Sequence, residues 1–302
     1  MSMALVLALV LDAIAGEPRW LWSRVPHPAV VMGRAVGWCD RVLNTGSARR
    51  AKGIGAVVLL VLAAALTGAI IASLPLGWLW QTLAAAILLA QRSLVDHVRA
   101  VVDALRMSTT EGRQAVAMIV GRDTADMDDP AIARAAIESA AENLSDGVVA
   151  PAFWFLIGGL PAMLVYKVVN TADSMIGYRT PRHEAFGWAA ARLDDVLNLV
   201  PARMTAALIL LTHPGRGGWA ITRRDAPLHR SPNAGWPEAA MAAALGVALS
   251  GPRSYHGQTR DYPWVNAGGR RDSGADDIEK AIGAMWRAWA LLLAGAAIIA
   301  VV

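Results

Sequence analysis

Long charge-free stretches dominate the hydrophobic pattern of this chain. From Gly53 to Gln91 there is no Asp, Glu, Lys or Arg. As a single helix that stretch would run roughly 58 Å at about 1.5 Å per residue, against a hydrocarbon core of about 30 Å. It must therefore fold back. Ser73-Leu74-Pro75-Leu76-Gly77 supplies the break, with Trp78 and Trp80 beyond it as interfacial anchors. The pattern predicts spans over 54–73 and 78–95, and a third over 284–302, entered past Trp286 and Trp289. Three further segments are weaker. Residues 2–16 carry Asp12 and are followed by no small-residue cleavage site, so they read as a retained first helix. Residues 147–166 lack charge but hold Gly158-Gly159-Leu160-Pro161, either a kinked span or a re-entrant pair of half-helices buried in protein. Residues 196–212 include Asn198, Pro201 and Arg203, poor company for lipid. The fold class expected is all-α, a polytopic integral membrane helical bundle with cytoplasmic helical and loop segments, forming one domain over 1–302.

Charge in the loops sets the expected orientation. Arg19, Arg24, Arg34, Arg41, Arg49, Arg50 and Lys52 crowd 17–53 and place it in the cytoplasm. The turn at 74–77 is then outside, and 97–146 returns to the cytoplasm. The two readings of 147–166 leave 167–195 on either side. Within 97–146, Ser108 and Glu111 form a capping box. Asp129 followed by Pro130 reads as an N-cap and first helical residue, opening a helix to about Leu144 with Ala133, Ile137, Ala140 and Leu144 on its apolar face. The Gly-, Pro- and Arg-rich stretch 213–283 reads as loops with one helix near 238–249.

Composition narrows the function classes. Apolar residues make up 55% of the 302 and charged ones 17%, which rules out disorder. The single cysteine, Cys39, excludes a disulfide scaffold and any thiolate cluster. The net charge of +4 is spread without an aromatic-interleaved basic run, so nucleic acid is not an expected partner. There is no phosphate-binding P-loop, no G-x-S-x-G elbow and no G-x-G-x-x-G.

Candidate chemistry sits in oxygen-bearing side chains. Glu138 and Glu142 share a helix face, with Asn143 beside them and Asp146 just past the end. Such a set suits a hard cation such as magnesium; alternatively Arg134, four residues before Glu138, makes an ordinary surface pair. Asn170, Asp173 and Gly177 form an i, i+3, i+7 stripe that is either a ligand-facing surface or a plain helix end. Asp194 and Asp195 with Asn198 form a third acidic patch, for which capping or solvation is an equal reading. Arg122 and Arg224 each neighbour an Asp that could pair with it. Of six histidines (His27, His97, His183, His213, His229 and His256) none makes a close metal pair; His27 is stiffened between Pro26 and Pro28.

Long ordered strings then carry a resemblance. Leu11-Asp12-Ala13-Ile14-Ala15-Gly16-Glu17-Pro18-Arg19-Trp20, Pro26-His27-Pro28, Val120-Gly121-Arg122-Asp123-Thr124, the string from Glu138 to Gly147, Lys167-Val168-Val169-Asn170-Thr171-Ala172-Asp173, Arg192-Leu193-Asp194-Asp195 and Ser231-Pro232-Asn233-Ala234-Gly235-Trp236-Pro237-Glu238 together resemble the CobD/CbiB family, the adenosylcobinamide-phosphate synthases. The resemblance implies a membrane-bound ligase of cobalamin biosynthesis. It would join aminopropanol, or its phosphate, to a carboxylate of adenosylcobyric acid. Its expected cofactors are ATP and Mg2+, since an ionised carboxylate resists an amine until activated, most simply as an acyl phosphate. Under that reading His27, Glu138, Glu142 and Asp173 are catalytic candidates. Arg34, Arg122, Asn143, Lys167, Asn170, Arg224 and Asn233 bind substrate or phosphate, and Glu142, Asp146, Asp173, Asp194 and Asp195 hold metal. The expected partners are the corrinoid, the amino alcohol and membrane lipid, with a homo-oligomer or other membrane-bound cobalamin enzymes as protein partners. The expected site is the bacterial inner membrane, with the reaction on the cytoplasmic side. Two rival readings are a magnesium-dependent intramembrane prenyltransferase, whose D-D-x-x-D density is missing, and an AmpE-like sensor or transporter.

Overall fold

Fourteen helices are seen in the computed structural model, which describes residues 1–215, 217–255 and 257–301; His256 and the last residue of the 284–302 segment lie outside the described residues. In chain order they are α1 (Ser2–Ala15), α2 (Arg19–Trp22), α3 (Pro28–Leu43), α4 (Arg49–Ser73), α5 (Gly77–Leu88), α6 (Gln91–Met107), α7 (Thr109–Ala117), α8 (Asp129–Leu144), α9 (Ala150–Ile176), α10 (Trp188–Leu197), α11 (Leu199–Thr212), α12 (Gly218–Asp225), α13 (Gly235–Leu245) and α14 (Ala275–Val301). Four short strands, β1 (Leu249–Ser250), β2 (Arg253–Tyr255), β3 (Gln258–Arg260) and β4 (Trp264–Val265), pair antiparallel as β1 with β4 and β2 with β3. Three stretches are long and apolar enough to cross a membrane: α4, the run Asp129–Ile176 and α14. α10 and α11 pass the same test only when taken together across their break. The chain is thus a helical membrane protein.

The contacts divide it into two compact units. The first comprises Met1–Ala90, Ala150–Leu199 and the chain from Gly295 onward; the second comprises Gln91–Val149 and Val200–Ala294.

In the first unit, α4 and α9 form the central pair, flanked by α3, α5 and α10, while α1 packs on α5. An apolar cluster of Val36, Cys39, Ala56, Val57, Ala172, Ile176, Phe186 and Ala190 ties α3, α4, α9 and α10 together. Several expected spans differ in outline. The 78–95 segment is not one helix: α5 stops at Leu88, Leu89 is extended (φ −75°, ψ 154°), and α6 starts afresh at Gln91. Twelve residues give α5 about 18 Å, short of the hydrocarbon thickness. α1, at 14 residues, is short for the same reason. From Ala150 the 147–166 segment belongs to a longer helix, α9, broken in its first half. There Gly158 (φ −144°, ψ 23°) and Gly159 (φ 64°, ψ −157°) leave helical geometry. Gly159 adopts a backbone that only glycine holds without strain, and Pro161, lacking an N–H, starts the resumed helix at no hydrogen-bond cost.

In the second unit, α6, α7 and α8 pack together and α13 lies against α8. Ser108 caps α7 by accepting the Glu111 amide at 3.1 Å, as expected. The cap of α8 is one residue earlier than expected: Asp128 accepts the Ala131 amide at 2.8 Å, and Asp129 is already helical. Ala133, Ile137, Ala140 and Leu144 are buried, as their spacing required. The 213–283 stretch holds more order than its composition suggested. α12 precedes α13, α13 ends at Leu245 with Gly246 as its cap rather than at 249, and the four strands follow. Strands of two or three residues offer too little alternation for a sequence pattern to register.

Candidate functional site

In the first unit, the stretches around 170 and 194 meet. Asn170 on α9 donates its amide to Asp194 Oδ1 on α10 at 3.2 Å. Asn198 donates to Asp194 Oδ2 at 3.0 Å, and the buried Tyr166 hydroxyl donates to Asn198 Oδ1 at 3.1 Å. Asp194 is thus buried with neutral amides on both oxygens. Its neighbour Asp195 points elsewhere, pairing with Arg192 at 3.2 Å and lining a cleft of about 260 Å³ with Gly177, Arg179, Glu184, Trp188, Ala191 and Arg192. Asp173 sits at the same end of α9. Its carboxylate lies where a side chain on Gly177 would be, 2.0 Å from the position a Cβ would take. The glycine in the Asn170–Asp173–Gly177 stripe therefore makes room for the protein's own carboxylate. Arg50 stacks over Trp188 at 3.8 Å. The cleft presents carboxylates, guanidiniums and an indole together. Lys167 lies half-buried one turn before Thr171, whose hydroxyl bonds its carbonyl; Arg34 is exposed on α3.

His27 has a different role from the one its proline-flanked position suggested. Its Nδ1 accepts the Ala29 amide at 3.2 Å as the cap of α3, and its Nε2 lies 3.2 Å from the Ile87 carbonyl of α5. A ring with Nδ1 accepting must donate from Nε2, so no lone pair is left to act as a base. The ring ties two helices.

The second unit holds a buried charge cluster. Glu138 bonds Arg122 through Oε2, while Oε1 accepts the Ser250 amide at 2.5 Å and pairs with Arg253 Nη2 at 3.2 Å. The surface pairing with Arg134 is not what occupies it, because the carboxylate is inside. Glu138 is held by two guanidiniums and an amide, and Arg122 is committed to it; neither is placed as a free base or phosphate clamp. Glu142, one turn on, is exposed, Asn143 folds its amide back onto Ser139, and Asp146 lies in a π-helical turn, Ser145–Val149. Nearby, Glu238 is buried with its Oε1 3.7 Å from His229 Nε2, and its Oε2 has no hydrogen-bond partner among the described residues. Burial, reinforced by Glu138 and Glu142, raises the Glu238 carboxyl well above the usual range. Burial, with Arg253 and Arg230 adding to it, pulls His229 down to about 4. Nδ1 of His229 accepts the Ser231 amide at 3.0 Å, so its Nε2–H faces Glu238. Arg224 is forked onto Asp225 at 2.5 and 2.8 Å, and this bond holds the Asp225 carboxyl below the usual range. Arg203 Nη1 donates to Asn233 at 3.3 Å. Arg179, Glu184, Trp188, Arg192, Arg253, His229 and Glu238 were not among the expected site residues. Arg253 lies in none of the ordered strings; for the others the only signal was membership of, or nearness to, those strings, since the partners come from distant stretches.

Among the described residues no three His, Cys, Asp or Glu side chains gather as a metal site. Magnesium bound with phosphates needs only one or two carboxylates, the phosphates and water supplying the rest, and Asp195, Glu184 and the neighbouring arginines fit that pattern.

Fold and site define a polytopic membrane protein with a polar cleft at the ends of its helices. The family model described as CobD/Cbib protein matches residues 5–285, and the chain belongs to that family. It is 45% identical to the cobalamin biosynthesis protein CobD of Sinorhizobium fredii, over 98% of this chain and 96% of that one. It is 48% identical to the protein of the same name from Rhizobium meliloti, over 95% and 93%, and 47% identical to that of Rhodobacter capsulatus, over 87% and 86%. No solved structure matches it.

Proposed function

We propose that the chain acts in cobalamin biosynthesis as an amide-forming ligase of the bacterial inner membrane, its reaction on the cytoplasmic side. It joins a carboxylate of adenosylcobyric acid to 1-amino-2-propanol or its O-phosphate. The observation that carries the reading is the Asn170–Asp194 contact, which draws two distant family strings to the edge of one cleft lined by Asp195, Arg179 and Arg192. Family membership supports the substrates, and the cleft supports the chemistry. Magnesium ATP, when bound, supplies the phosphoryl group that turns a carboxylate oxygen into a leaving group. Arg179 and Arg192 hold phosphate charge. Asp195 would hold magnesium, with Asp173 as a further candidate ligand, and Glu184 would take the proton that the ammonium must lose before its nitrogen can attack. Asp194 positions Asn170 and Asn198. Glu142 and Asp146 are the second candidate pair for magnesium. About 260 Å³ lies just under the usual range for small-molecule pockets and suits an amino alcohol phosphate or a run of phosphates better than a corrinoid, whose ring must lie outside.

The test is direct. Purified protein in detergent is incubated with adenosylcobyric acid, magnesium ATP and either amine, and the corrinoid is followed by mass spectrometry. The expected result is the condensed amide with one amine, dependent on ATP. Unchanged corrinoid with both amines, from protein shown to be folded, overturns the reading.

A further inference from the structure

Helix α3 carries an exposed apolar strip in a place that identifies what covers it. At 3.6 residues per turn, Val31, Trp38 and Val42 fall within about 40° of one another, and each is about half exposed. Arg34 and Arg41, also exposed, lie roughly 60–80° round from Val31. The flank opposite the strip holds Asp40, paired with Arg182 at 2.7 Å. The level of the helix follows from what its buried side touches. Val36 and Cys39 share a cluster with Ala56 and Val57 of α4. Those two residues stand about 6–8 Å along α4 from Lys52, the last charge before the apolar run. On the outside of α4 the exposed apolar residues Ile54, Val58 and Leu59 begin at the same level. α3 therefore lies where the charged end of a membrane-crossing helix gives way to its lipid-facing part.

We propose that the outer face of α3 is seated in the bilayer at its headgroup boundary, with Val31, Trp38 and Val42 among acyl chains and Arg34 and Arg41 on anionic headgroup phosphates. The depth matches the 5–10 Å at which amphipathic helices settle, the tryptophan suits that belt, and the arginine stems can reach back to the headgroups. This inference does not depend on the proposed reaction.

The test uses the full-length protein, with Cys39→Ala as background, in nanodiscs of phosphatidylcholine and phosphatidylglycerol. Spin labels go on Val31→Cys, Trp38→Cys and Val42→Cys, with Ser47→Cys as the water reference. Oxygen should relax the first three labels more than the water-soluble nickel complex does, with Ser47→Cys showing the reverse. Nickel dominating at the three sites, as on a wet surface, overturns the proposal, as does protection from both reagents, which means a protein cover. Label-free confirmation compares the parent chain with Trp38→Phe: brominated lipid should quench the parent more. Equal quenching counts against the proposal.

Discussion

Glu138 illustrates how a residue's neighbours in space can overrule its neighbours in sequence. Four positions after Arg134, it looked like half of a surface pair or half of a metal site. The partners that decide its role, Arg122 and Arg253, come from other stretches, and no spacing rule connects them. Removing only the carboxylate leaves two guanidiniums buried and facing each other. Glu138→Gln should therefore cost about 3–5 kcal/mol of stability, read from denaturant titration of the second unit's fluorescence in micelles; a loss under about 1 kcal/mol would contradict the buried arrangement. His229 gives a pH prediction. Its folded-state value of about 4 lies below the ordinary 6.5, so between those values the unfolded chain binds a proton that the folded one refuses. Stability from this residue is complete above about pH 6.5 and is lost as the pH falls toward 4, by roughly 3 kcal/mol over the window. Melting curves from pH 7 to pH 4 should slope accordingly, and the slope should flatten in His229→Gln. An identical slope in that variant would assign the effect to other groups. His27 went the other way: its proline-flanked position was visible, but its duty as a cap and helix tie needed the Ile87 carbonyl to be seen.

At the scale of elements, periodicity and charge were reliable where they were strong. The charge-free run before Ser73 became α4, the apolar face of α8 is buried as spaced, and Ser108 caps its helix. Boundaries drifted where two local signals competed. Asp128 and Asp129 are both good caps, and the chain used the first. Nothing apolar marks the break at Leu89, because an extended residue between two apolar helices carries no composition signal. Gly158-Gly159 was legible as an interruption but not as to kind. Its cost can be measured. Gly159→Ala forces a side chain into a positive-φ backbone with Met1 Sδ and Gln81 Oε1 at 3.3 and 3.4 Å from the new carbon, so it should destabilise by about 1–3 kcal/mol. Gly295→Ala, in open space within α14, should leave the melting temperature level or slightly raised. Equal behaviour of the two variants would mean that the α9 break is not held by its glycine.

For the whole molecule, the membrane class was written in composition and in uncharged run lengths, and the family in ordered strings covering nearly the full chain. The 213–283 stretch stayed opaque because α12 and four very short strands depend on partners such as Asn266 on Asp225 and Ser250 on Glu138, contacts no local pattern encodes. The cleft was partly legible: Asp195 and Gly177 in its lining stood out, while Arg179, Glu184 and Trp188 gained meaning only once α9 and α10 met. The proposed reaction turns most directly on Asp195, which lines the cleft beside Arg192 and next to the buried Asp194. The most direct measurement is the steady-state rate of adenosylcobinamide formation by Asp195→Asn protein whose melting curve matches the parent. The expected result is a fall of about 100-fold or more, the scale for losing an electrostatic contact to reacting phosphate. A rate within a factor of about two of the parent would place the reaction elsewhere in the molecule.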